Sequence, residues 1–250
     1  MRKIIFCFLV MFNSHIHASE CVILLHGLAR SSDSMNKMES ALSSEGYSIV
    51  NHDYASRKNT IQVLAAEEIP AALSKCKSDE KINFITHSLG GIVLRQYLST
   101  HSIENLGRTV MLGPPNKGSQ VADKLKNVPG YKLINGPAGM QLGTDIESVP
   151  FKLGCADFEV GIIAGTKSIN LILSTMLPNP DDGKVSVENT KLEGMADHIT
   201  IPVSHPFIMK DARAINQAIF FLKNGKFDKG AEKTTTSGLG ETENSGLNQV

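Results

Sequence analysis

Three residues of this chain, Ser88, Asp182 and His205, are of the types that together perform nucleophilic acyl transfer. A serine hydroxyl is too weakly acidic to attack an ester carbonyl alone. An imidazole must accept its proton, and a carboxylate must hold that imidazole in one tautomer. Ser88 interrupts the stretch Ile82-Asn83-Phe84-Ile85-Thr86-His87-Ser88-Leu89-Gly90-Gly91-Ile92-Val93-Leu94. An apolar, β-branched run stops at the serine, and two glycines and a helix-compatible segment follow, the pattern of a strand, a sharp turn and a helix. Ser88 is expected at the apex, with Gly90 letting strand and helix approach closely.

A serine so placed needs a sheet behind it. Cys21-Val22-Ile23-Leu24-Leu25 is apolar at every position, as expected of a strand buried on both faces in a parallel sheet. Further strands are read at Tyr47 to Tyr54, in the run ending at Ser88, at Arg108 to Leu112, at Glu159 to Gly165 and near His198 to Val203. Helical spacing links Met35, Met38 and Leu42. It recurs in Ile61, Leu64, Ala65, Ile69, Ala72, Leu73 and Cys76, where Pro70 is expected to kink or divide the helix. A closing helix carries Ile208, Ala212, Ile215, Ile219 and Leu222 on one side. The alternation predicts an α/β protein with a mostly parallel sheet of about six strands and helices on both faces. Residues 114–157 are broken repeatedly by proline and glycine and read as an irregular, lid-like insertion after the fourth strand.

Ser88 follows the third strand, Asp182 the fifth and His205 the last, so all three are expected at the carboxyl rim of the sheet. This order and the turn at Ser88 resemble the α/β-hydrolases, whose nucleophile elbow is Gly-x-Ser-x-Gly; here Thr86 stands in place of the first glycine. His26-Gly27-Leu28 resembles the oxyanion loop of lipases, which implies that the N–H groups of Leu28 and Leu89 stabilise the tetrahedral oxyanion. Asp182 is preferred to Asp181 as the acid because Gly183 permits a tight turn and Asp-Asp-Gly-Lys-Val resembles the acid loop of bacterial lipases. Asp181 is then a solvated turn residue. Asp157 precedes the fifth strand and Asp197 starts the last one, both wrongly placed. His87 is expected to pack or hydrogen-bond near the site, His26 to shape its loop, and His198 to be structural.

The resemblance covers most of residues 21 to 223, is closest to small lipase-like esterases, and implies hydrolysis of carboxylic esters, of lipids or other acyl chains, through an acyl-enzyme. No metal or organic cofactor is expected. Rival expectations are an acyltransferase with the same acyl-enzyme, an amidase or peptidase, and a catalytically silent binding module. The expected partner is a small-molecule or lipid ester, met by a monomer, with a transient contact to a membrane or micelle.

The 250 residues, 41% of them hydrophobic, suffice for one sizeable domain, and a net charge of +0 gives no bulk reason to expect nucleic acid as partner. Arg2 and Lys3 before the apolar run Ile4 to Phe12, and a small residue at Ala18, read as a secretory signal peptide over 1–18. The hydrolase domain is then 19–227 and the protein is exported, to the periplasm or the medium. In that setting Cys21 and Cys76, both expected at the amino-terminal edge of the sheet, are predicted to form a disulfide. The polar segment 228–250 is expected to be disordered.

Overall fold

A computed structural model of the chain describes residues 20–230. Its centre is a six-stranded sheet formed by β1 (Glu20–Leu25), β2 (Ser48–His52), β3 (Lys81–His87), β4 (Leu106–Leu112), β5 (Val160–Gly165) and β6 (Asp197–Ile201). The spatial order is β2-β1-β3-β4-β5-β6, and every pairing is parallel. All carboxyl ends therefore open on the same rim, where the loops can converge.

Side-chain alternation along the strands divides the interior into two layers. Val22 and Leu24 of β1, Ile85 of β3 and Val110 and Leu112 of β4 face α1 (Asn36–Ser44) and α9 (Ala212–Asn224), meeting Met38, Leu42, Ala218 and Phe221. Cys21, Ile23 and Leu25 point the other way, with Phe84, towards α2 (Ile61–Leu73) and α3 (Leu89–Leu98). The continuous apolar runs in sequence are thus strands covered on both sides, and each fully buried Leu or Ile contributes about 1.5–3 kcal/mol. α2 runs as one helix through Pro70, which sits in its last turn, and is not divided. Asp211 caps α9 by accepting from the Arg213 and Ala214 N–H groups, and Gly225 ends it in the left-handed region at φ 71°.

The disulfide Cys21–Cys76 is present, joining the start of β1 to the chain just before β3, at the amino-terminal rim. The segment after β4 is more regular than its composition predicts, with helices α4 (Gln120–Leu125), α5 (Tyr131–Met140) and α6 (Val149–Lys152). The breakers sit at boundaries: Gly130 precedes α5, Pro150 occupies the first turn of α6, and Gly136, at φ 66°, kinks α5 next to Pro137. Two further short helices, α7 (Leu171–Ser174) and α8 (Val187–Thr190), lie between β5 and β6. The expected signal peptide and most of the expected tail lie outside the described residues. Of the latter, Asp228 exchanges hydrogen bonds with Gln217 (2.7 and 2.9 Å) and Lys229 pairs with Asp197 at 2.7 Å.

Candidate active site

β3 delivers Ser88 to the carboxyl rim and α3 begins at the next residue. Ser88 holds φ 51° and ψ −117°, a region L-residues seldom occupy, so the turn is under backbone strain and thrusts the side chain out of the sheet. Gly90 is obligatory here because a Cβ would lie 2.7 Å from the Leu25 carbonyl oxygen. Thr86, which replaces the first glycine of the elbow pattern, is fully buried and directed at Gly91, whose missing side chain leaves it room; a Cβ there would stand 3.1 Å from Thr86 Oγ1.

His205, between β6 and α9, bridges the remaining two groups. Its Nε2 is 3.0 Å from Ser88 Oγ and its Nδ1 is 2.7 Å from Asp182 Oδ2. The carboxylate accepts from Nδ1–H, which leaves Nε2 with a lone pair facing the Ser88 hydroxyl. Asp182 is buried, and its Oδ1 accepts from the N–H groups of Lys184 (3.0 Å) and Val185 (2.8 Å), so both its oxygens are engaged. The backbone adds a further tie, His205 N–H to Asp182 O at 2.9 Å. Gly113, at φ 54°, passes beneath this pair; a Cβ there would approach Asp182 Oδ2 to 3.0 Å.

Asp181 departs from its expected role. It is buried rather than solvated, and accepts from Gly183 N–H (2.7 Å) and Ser174 Oγ (2.6 Å), fixing the loop that aims Asp182. Gly183 takes φ 93°, the left-handed turn its position requires. Asp197 lies at the opposite rim at the start of β6, where it accepts from Phe227 N–H.

The other histidines take the places expected of them. His87 is buried, and its Nε2–H donates to the His205 carbonyl at 3.1 Å. Burial, with His205 beside it, holds its pKa well below the ordinary imidazole value, so the ring is neutral. His26, also buried, stacks on Tyr54, whose hydroxyl donates to the His26 carbonyl at 2.7 Å, and so shapes the loop that carries Leu28. His198 Nε2 pairs with Thr190 Oγ1 at 3.0 Å.

Leu28 borders the same cleft as Ser88, and Leu89 opens α3 directly after it. Among the described residues neither amide N–H is committed to another acceptor. The cleft has a volume of about 330 Å³. Val121, Ala122 and Leu142 of the insertion, and Ile169 and Leu173 around α7, form an apolar wall. α7 escapes a sequence reading because it spans barely one turn; its signal is Asn170, whose side chain caps it by accepting from Leu173 N–H at 3.1 Å. The insertion is pinned from below by buried Arg95, which donates to Asn116 (3.1 and 3.2 Å) and to the Gly154 carbonyl (2.6 Å).

A parallel sheet with a strained serine, a histidine and a carboxylate on its carboxyl rim defines an α/β-hydrolase. The chain belongs to the palmitoyl protein thioesterase family, whose model matches residues 21–145, and is a carboxylic ester hydrolase. The matched segment contains the Leu28 loop and the elbow but ends before Asp182 and His205. Among solved structures, the mature Bacillus licheniformis lipase BlEst2 is 22% identical with a TM-score of 0.64, over 82% of this chain and 93% of that one. Phospholipase PlaB from Legionella pneumophila, in complex with thio-NAD, is 17% identical with a TM-score of 0.67, over 88% of this chain and 61% of that one. The metagenomic carboxyl esterase MGS0156 is 16% identical with a TM-score of 0.61, over 77% and 66%. At these identities the likeness is one of fold. No curated protein sequence matches the chain.

Proposed function

We propose that the protein is an exported serine hydrolase that cleaves acyl esters or thioesters of lipid-like substrates through Ser88, His205 and Asp182. The observation that carries this reading is the bridging position of His205, 3.0 Å from the Ser88 hydroxyl and 2.7 Å from the Asp182 carboxylate. As Ser88 Oγ bonds to the acyl carbon, its proton passes to His205 Nε2 and the carbonyl electron pair moves onto oxygen. The N–H groups of Leu28 and Leu89 receive that charge; such a donor is worth about 10²–10³ in rate. Collapse breaks the bond to the leaving group, which takes the proton from His205. A water then gives its proton to the same nitrogen and attacks the acyl-serine, and collapse breaks the bond to Ser88 Oγ, which takes the proton back from His205 as the acid is released.

Membership of a family described by palmitoyl thioesters supports a long acyl chain, and the apolar cleft wall suits one. Leu133 and Ile134 on α5 and Leu171 and Ile172 on α7 are exposed on helices that border the cleft, which suits an amphiphile presented by a micelle or membrane. Export is supported by the leader-like first 18 residues and by the disulfide.

Ser88→Ala tests the reading directly. Hydrolysis of short p-nitrophenyl esters and labelling by a fluorophosphonate probe are expected to disappear with the circular dichroism spectrum unchanged. Retained turnover rules the assignment out.

A further inference from the structure

Two cations stand in the cleft without an ion-pair partner among the described residues. Arg30 lies two residues beyond Leu28, on the loop after β1, and Lys184 two residues beyond Asp182, on the loop after β5; both line the cavity that holds Ser88 and His205. Both are exposed, and among the described residues neither side chain takes part in an ion pair or a hydrogen bond with the protein. Asp33, the acid nearest Arg30 in sequence, accepts instead from Ser31 Oγ at 3.5 Å. Asp182 is the one acid on the cavity wall, and its two oxygens are already held by His205 and by the Lys184 and Val185 N–H groups.

Partial desolvation at the cleft wall lowers the Lys184 pKa, Asp182 opposes that shift, and Arg30 adds to it. Holding two like charges in the lining of one cavity costs electrostatic energy that a bound anion would recover. Val121, Leu142 and Leu173, which line the same cavity, are apolar and offer nothing to an anion. An acyl chain suits those side chains, so a phosphate on the substrate belongs to its leaving-group half.

We infer that Arg30 and Lys184 form a subsite for a phosphate group carried by the leaving-group half of the substrate. Guanidinium and ammonium are the side chains that bind phosphate oxygens, and two cations without an ion-pair partner suit a phosphate monoester, which carries about −1.5 to −2 at neutral pH. The chemistry fits a glycerolipid with a terminal phosphate, such as lysophosphatidic acid, or an acyl thioester of a phosphorylated carrier such as coenzyme A. This inference rests on acyl transfer at Ser88.

Two matched pairs test it on the purified protein. Octanoyl lysophosphatidic acid and monooctanoylglycerol differ only in the phosphate, and octanoyl-coenzyme A is set against the neutral thioester S-octanoyl-N-acetylcysteamine. The phosphate-bearing member of at least one pair is expected to be favoured by about tenfold or more in kcat/KM. The pair that shows the preference identifies the source of the phosphate. Arg30→Met and Lys184→Met should each lower the ratio severalfold, the double variant should bring it near unity, and Lys184→Arg should keep most of it. Raised salt should erode the preference in the wild type. A ratio near unity in the wild type, or one unmoved in the double variant while Ser88-dependent hydrolysis persists, overturns the phosphate subsite alone. No Ser88-dependent turnover of any of the four compounds overturns both this subsite and the acyl-transfer reading beneath it.

Discussion

His87 donates from Nε2 to the backbone carbonyl of His205 at 3.1 Å, so the residue before Ser88 holds the chain that carries His205. Its ring stands close to that of His205, with centroids 4.9 Å apart, and Gly27 leaves room for it: a Cβ there would lie 2.7 Å from His87 Nδ1. One neutral imidazole thus spaces the oxyanion loop, the elbow and the base. Replacing it with Phe keeps bulk but removes the donor. The expected result is a kcat lowered by about ten- to a hundredfold, with KM changed by less than about twofold, since an ångström of misplacement costs up to about 10². Gln, which retains a donor, should recover part of the loss. An unchanged kcat for His87→Phe would mean that the contact positions nothing.

The neighbouring aspartates should separate cleanly. Asp182→Asn removes the acceptor that fixes the His205 tautomer, and kcat should fall by about 10⁴. Asp181→Asn weakens the bonds to Gly183 and Ser174. It should lower stability by about 1–2 kcal/mol in urea unfolding and activity by less than about tenfold. Equal losses of activity in the two variants would contradict the division of labour between them.

Much of the site is legible in the sequence because burial on both faces leaves an unmistakable apolar run. β1, β3 and β5 are such runs, and the polar or small residues that end them, His26, Ser88 and Thr166, mark where the loops begin. Pairing across space is what one dimension hides. Nothing in the order of residues reveals that Gly91 offsets the bulk of Thr86, or that Asp181 is enclosed while the adjacent Gly183 turns. Proline and glycine in the insertion were signs of interruption, yet at Gly130, Gly136 and Pro150 they delimit helices. Arg30 and Lys184, 154 positions apart, come to line one cavity only through the fold.

The disulfide should bear on stability and not on rate. It closes a loop with a sequence separation of 55 at the rim remote from Ser88. Replacing Cys21 and Cys76 together with Ser should lower the unfolding free energy by about 3–4 kcal/mol. Equilibrium unfolding with and without reductant gives the number, and kcat for a soluble ester should be unaltered. A midpoint insensitive to reductant would contradict this.

Acid should loosen the fold through its buried histidines. Burial is the leading cause that holds His26, His87 and His198 below the ordinary value of 6.5 in the folded chain. Unfolded, each returns to that value, so below pH 6.5 the unfolded chain binds more protons and is favoured. Stability is therefore complete above about 6.5 and declines as the pH falls through it toward the folded values. The urea midpoint should be lower at about pH 5.5 than at about pH 7.5, with a smaller difference in His87→Gln. A midpoint equal or higher at the lower pH would refute the sign.

All six strands run the same way, so the crosslinked rim and the reacting rim face opposite directions. The turn between Cys76 and Lys81, partly exposed and remote from the cleft, is accordingly the handle by which the molecule can be grafted onto a bead, a sensor surface or a second polypeptide. An attachment there leaves the mouth pointing outward into the medium, unshaded by its support.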